Sequence, residues 1–166
     1  MVIVIVTAIV SFFLESIVSN FVALDSQLWI PLFSLVSLII IYPYFKGQEQ
    51  NYLKVCALIG FCYDIVFTDT LLMNFVIFIG IGVLIQGINH IFSTNMINIC
   101  FMVPVIVALY RLVSYLILCL AGFFHFEWQS LGVSIYSSLL LNIMYAVIVY
   151  LITDRIAKRY RIYKVD

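Results

Sequence analysis

Apolar runs long enough to cross a bilayer recur along the whole sequence, separated only by short polar connections. A lipid core offers the backbone no hydrogen-bond partner, so a chain that crosses it must satisfy its own N–H and C=O groups, as a helix or as a closed barrel. Unbroken apolar stretches select the helix. At about 20 apolar residues per crossing, the sequence predicts helices near Val2 to Phe21, Leu28 to Tyr44, Leu53 to Phe67, Leu71 to Phe92, Ile97 to Phe124 and Leu131 to Thr153. The expected fold is an all-α integral membrane bundle of about six transmembrane helices. Residues 1–153 form the membrane domain and residues 154–166 a basic tail. With 66% hydrophobic and 10% charged residues, the chain is far from the balance of a soluble domain. The third segment is short and carries Asp64, so it is the span expected to be tilted or incomplete, turning at Thr68-Asp69-Thr70.

Six crossings put both termini on one side and sort the connections into two sets. One set holds Lys46, Lys54, Arg155, Lys158, Arg159, Arg161 and Lys164; the other holds Asp25, Asp69 and Glu127 with no lysine or arginine. The excess of basic residues marks the cytoplasmic face, so both termini are expected there. Met1 leads directly into Val2-Ile3-Val4-Ile5-Val6, a pattern of a retained helix and not of a removable signal peptide. Trp29 and Trp128 fall at the opposite helix ends, where an indole keeps one wet edge. In the tail the basic residues alternate with Ile156, Tyr160, Ile162 and Tyr163, which suits a helix end lying along anionic headgroups. No nucleic-acid partner is expected.

An ionisable side chain in hydrocarbon costs about 2.5 to 3.5 kcal/mol on insertion scales, so each one asks for a partner or a purpose. Glu15, Asp64 and Arg111 all count to roughly 17 to 22 Å from the basic side at 1.5 Å per residue. The expectation is a buried ion pair or triad of Arg111 with Asp64 and Glu15, clasping helices together. Polar residues four apart also form stripes: Thr7, Ser11, Glu15 and Ser19; Asn74, Gly82, Gln86 and His90; Ser134, Ser138 and Asn142. Such stripes normally face neighbouring helices. Cys56, Cys62, Cys100 and Cys119 fall in apolar runs with no CxxC pair and read as packing residues. Pro31, Pro104 and Pro43 sit near helix starts or ends.

Catalytic readings fail on inventory. The two histidines, His90 and His125, fall at opposite surfaces, which leaves no histidine metal site or serine–histidine pair. No GxSxG, HExxH or phosphate-binding glycine loop occurs. No enzyme activity, metal or cofactor is expected.

The stretch from Ile59 to Asn74, with Gly60-Phe61-Cys62-Tyr63-Asp64 and then Leu71-Leu72-Met73-Asn74, resembles the central signature of the MreD family, a Gly-x-x-x-Asp followed by a Leu-Gly or similar turn. Leu14-Glu15-Ser16 is similar to the acidic position of that family's first helix. Leu139-Leu140-Leu141-Asn142 and the basic tail also fit, so the likeness spans essentially the whole chain. Met73 stands where many members have glycine, and Arg111 matches no family motif. The resemblance implies a non-enzymatic subunit of the bacterial cell-elongation machinery in the plasma membrane, supporting peptidoglycan synthesis. It implies binding to MreC, with RodA, a class B transpeptidase and MreB as further partners. A groove between helices, shaped by Asp64 and Asn74, would receive the MreC helix. The alternative is the substrate-binding subunit of an energy-coupling-factor vitamin transporter, of similar length and helix number, with Tyr63, Asp64, Arg111 and Trp128 lining its pocket.

Overall fold

The computed structural model describes residues 2–22, 30–45, 47–68, 72–91, 96–123 and 126–159. Asp25, Trp29, Lys46, Asp69, His125, Arg161, Lys164 and the aromatic and aliphatic residues of the tail beyond Arg159 lie outside the described residues. Six helices follow one another: α1 (Val2–Val22), α2 (Phe33–Ile41, continued by a 3-10 turn, Tyr42–Tyr44), α3 (Glu49–Phe67), α4 (Met73–Ile91), α5 (Met96–Leu120) and α6 (Trp128–Arg159). Among the described residues there is no strand. Three helices, α1, α5 and α6, are long and apolar enough to cross a membrane, and α2 and α4 contain shorter apolar stretches.

The second segment forms the shortest of the six helices, and α3 is not among those long and apolar enough to cross a membrane. Helix α3 runs unbroken for 19 residues, about 28 Å at 1.5 Å per residue. Helix α2 has nine residues, about 13 Å, less than half of a hydrocarbon core of about 30 Å. Pro31 is the physical reason: it cannot donate a backbone hydrogen bond, and it drives the preceding Ile30 away from helical geometry. Residues 30–32 are therefore non-helical, yet Pro31 and Leu32 are buried. Every residue of α2 is buried, and α1, α4, α5 and α6 all pack against it. The short helix is the central post of the bundle.

Two helix pairs surround the post, the α3–α4 hairpin and the α5–α6 pair. In the hairpin, small residues allow close approach, as expected where lipid gives no hydrophobic drive to association. A Cβ added at Gly60 would lie 2.8 Å from the Asn74 carbonyl oxygen and 2.9 Å from the Phe75 Cα, so the two backbones are nearly in contact there. At Gly82 the added atom would meet the Cys56 Sγ at 2.8 Å; Cys56 is fully buried, as its packing reading requires. Pro104 lies inside α5 and not near its start. Helix α6 continues past Thr153 to Arg159, so Arg155, Lys158 and Arg159 stand on its last turns.

The polar stripes turn inward. Ser11, Glu15, Asn74, Ser138 and Asn142 are buried, while Ile5, Ile9, Phe13, Val76, Val83, Tyr136 and Leu140 face outward. This inverts the pattern of a water-soluble bundle, because the surrounding solvent is apolar.

Replacing Gly60 with Ala is expected to lower stability by about 1 to 3 kcal/mol, since the new methyl meets backbone that cannot step aside. Gly82→Ala meets only side-chain atoms and costs less, and Gly80→Ala, with open space around the added atom, costs nothing. Thermal unfolding of the three variants in one mild detergent checks the order; equal midpoints for Gly60→Ala and Gly80→Ala would refute the close-contact reading.

Candidate functional site

The first turn of any helix has backbone N–H groups with no partner inside the helix. At a water-exposed end solvent supplies them, but an end buried in a membrane bundle must find protein acceptors. Two helices here begin in that situation, and the polar residues singled out in the sequence gather at those two places.

At the start of α2 the acceptors come from α1 and α6. The Ser34 N–H donates to Glu15 Oε2 at 2.7 Å, and the Leu32 N–H donates to Asn142 Oδ1 at 2.8 Å. Asn142 turns its amide nitrogen toward the Ile30 carbonyl at 3.2 Å and the Ser138 carbonyl at 2.6 Å. Pro31 between them has no N–H to satisfy. One glutamate and one asparagine, from helices at opposite ends of the sequence, thus hold the irregular segment that precedes the central post. Glu15 is completed by the Tyr63 hydroxyl of α3, which donates to Oε1 at 2.9 Å.

At the start of α4 the acceptor is Asp64. Its Oδ1 accepts from the Asn74 backbone N–H at 3.0 Å and from the Asn74 side-chain amide at 2.9 Å. Its Oδ2 accepts from the Phe75 N–H at 2.9 Å. A carboxylate at a helix N-terminus also meets the positive end of the helix dipole. Thr68 donates to Asp64 Oδ1 at 3.2 Å and accepts from the Asn74 amide at 3.1 Å. The Asn74 side-chain oxygen, Oδ1, in turn accepts from the Tyr110 hydroxyl of α5 at 2.8 Å. The spacing from Gly60 to Asp64 now has a mechanical meaning. Gly60 brings the α4 backbone close, and one turn later Asp64 caps it. The turn into α4 is carried by Leu72 at φ 65°, a left-handed conformation that costs a bulky residue about 1 to 2 kcal/mol, one position before the family's glycine.

Arg111 does not pair with either carboxylate. Its Nε donates to the Ser138 hydroxyl at 2.9 Å, Nη2 is buried without a hydrogen-bond partner, and the ion pair found among the described residues is Lys158 with Asp154 at 2.7 Å. The expected triad fails because both carboxylates are already saturated by neutral donors on α2, α3 and α4. Arg111 instead links α5 to α6 through Ser138, whose own hydroxyl donates to the Ser134 carbonyl at 2.8 Å.

Sequence reasoning did not single out Ser34, Tyr110 or Tyr145. Tyr145 donates to Ser11 Oγ at 2.7 Å and stacks on Phe33 with ring centroids 3.9 Å apart, tying α6 to α1 and to the post. The available signal was a tyrosine inside an apolar helix, whose hydroxyl must find an acceptor when buried. Trp128 opens α6 in an exposed position against Phe126, as an interfacial indole would. Asp64 and Asn74 are buried and engaged in the hydrogen bonds that join α3 to α4 and, through Tyr110, to α5. As chemistry, the constellation holds backbone in place; each carboxylate oxygen already accepts at least one hydrogen bond.

A protein-family model described as "rod shape-determining protein MreD" matches residues 1–158 of the chain. No curated protein and no solved structure matches it significantly.

Asp64→Ala would orphan the Asn74 and Phe75 N–H groups together and is expected to cost about 2 to 6 kcal/mol, at about 1 to 3 kcal/mol for each unsatisfied group. Arg111→Leu is expected to leave the unfolding midpoint unchanged or raise it, because a poorly satisfied buried charge is replaced by apolar volume. Both are read by thermal unfolding in detergent. A loss of about 3 to 5 kcal/mol in Arg111→Leu, the penalty for breaking a buried ion pair, would reinstate the triad.

Proposed function

The chain belongs to the MreD family of rod shape-determining proteins, and from that membership we propose that it is a non-enzymatic scaffold subunit of the bacterial cell-elongation machinery. In this reading it sits in the plasma membrane with both termini in the cytoplasm, binds the single transmembrane helix of MreC, and through MreC supports lateral peptidoglycan synthesis by RodA and a class B transpeptidase. MreB filaments are a contact on the basic side, where Arg155, Lys158 and Arg159 stand.

The observation that carries the reading is the family match over residues 1–158, nearly the full 166-residue chain. The chemistry of the interior supports a scaffold. Glu15 and Asp64, the two carboxylates best placed for acid and base work by depth, accept backbone N–H groups of neighbouring helices. Groups held this way organise helices and are not set up to exchange protons with a substrate. The outward faces are apolar, and on α4 the exposed Gly80 and Gly87 leave open space beside the helix backbone. Small residues of this kind let a foreign helix approach closely.

Gentle solubilisation of the tagged protein from its native membrane, followed by mass spectrometry, is expected to recover a bitopic MreC-like protein at near-stoichiometric amounts. Photo-crosslinkers at Val76 and Val83, beside the α4 glycines, are expected to capture that protein's membrane helix. Recovery of the chain alone, with no bitopic partner under several detergents, would count against the scaffold reading.

A further inference from the structure

Between α1 and α6, over the part of the bundle where α1 begins and α6 finishes, lies an open groove of about 830 Å³. Its walls are branched aliphatics, chiefly Val6, Val10 and Leu14 on α1 and Ile148, Ile152 and Ile156 on α6. Phe33 and Tyr145 line its inner end; they are stacked on each other, and the Tyr145–Ser11 hydrogen bond joins the two helices there. Along α1 it extends from Ile3 to Leu14 and along α6 from Tyr145 to Ile156, about 16 Å on each helix at 1.5 Å per residue.

Three observations identify the occupant. The length is about half of a hydrocarbon core of about 30 Å, the depth of one leaflet and too short for a helix that crosses both. The walls contain no glycine, alanine or serine, and Thr7 and Thr153 are their only small residues of the kind that allow helices to approach closely. The hydroxyls of Thr7 and Thr153 donate to carbonyls of their own helices, so no donor is left over for a partner helix. A flexible hydrocarbon chain needs neither small residues nor donors.

The charge at the mouth completes the picture. Beyond the last lining residue, Ile156, Arg159 follows at i+3 on the same flank of α6, and Arg155, at i+3 from Ile152, stands at the edge of the groove face. Both are exposed, and neither forms an ion pair among the described residues, whereas Lys158 is paired with Asp154. Arginine forks favour phosphate, and basic pockets beside transmembrane helices on the basic face recognise anionic headgroups. We propose that this groove seats one acyl chain of an anionic phospholipid, with the lipid phosphate held by Arg155 and Arg159.

The test uses the full-length chain in mild detergent, mixed with phosphatidylglycerol or phosphatidylcholine of identical acyl chains, with retained lipid counted by native mass spectrometry. One phosphatidylglycerol per chain is expected, retained about tenfold better than phosphatidylcholine. Arg155→Gln with Arg159→Gln is expected to bring phosphatidylglycerol down to the phosphatidylcholine level at an unchanged unfolding midpoint, while Lys158→Gln leaves the preference intact. Ile152→Trp, which fills the groove, is expected to reduce retention of both lipids. Equal retention of the two lipids by the unaltered chain, or an undiminished preference in the double arginine variant, overturns the proposal. So does capture of another protein's helix, in place of lipid, by a crosslinker at Val10 in native membranes.

Discussion

The whole bundle depends on the absence of water from its interior. A backbone N–H that loses its helix partner in hydrocarbon has nowhere else to turn, and each such loss costs several kcal/mol. This chain breaks its backbone inside the bundle before α2 and starts α4 from a tight turn at Leu72. The side chains that repair those two starts, Glu15, Asn142 and Asp64, come from three other helices. Capping and tertiary packing are therefore the same interaction here. Helix α2 cannot begin correctly unless α1 and α6 are already beside it, and α4 cannot begin unless α3 presents Asp64.

That coupling explains why a short and wholly buried helix occupies the centre. Helix α2 alone would be too short to span a membrane and too short to be stable in isolation. Clamped at its start by α1 and α6, and bound along its length by the Tyr52 hydroxyl on the Leu38 carbonyl at 3.1 Å, it gives every longer helix a common surface. The tyrosines extend the same logic. Tyr63, Tyr110 and Tyr145 each carry a hydroxyl from one helix to a polar atom on another, so each polar cluster of the interior ties together at least two helices.

A protein that turns its polar groups inward presents the bilayer with an apolar exterior, and differences in shape then decide what binds where. On the outer face of α4, glycines leave the backbone accessible to another helix. Between α1 and α6, branched side chains and a basic mouth suit a lipid. Under the proposed function the first surface would serve a partner helix, and under the further inference the second would keep a lipid in place.

The amino-acid sequence by itself determined that the chain is an all-α membrane protein, the helix segments to within about six residues, and the inward direction of the polar stripes that carry Glu15, Asn74 and Asn142. These properties are local: apolar length, charge, and the 3.6-residue period can be counted along one helix. The partners of those residues were not countable in that way. Depth alone suggested that Arg111 meets Asp64 and Glu15, since opposite charges in hydrocarbon attract strongly. The tertiary structure decided otherwise, because buried backbone N–H groups on α2 and α4 compete for the same carboxylate oxygens and lie closer. It also decided that the second segment forms a helix of only nine residues, buried along its whole length. Pro31 marked the place, but only the convergence of Glu15 from α1 and Asn142 from α6 satisfies the backbone N–H groups at the start of α2.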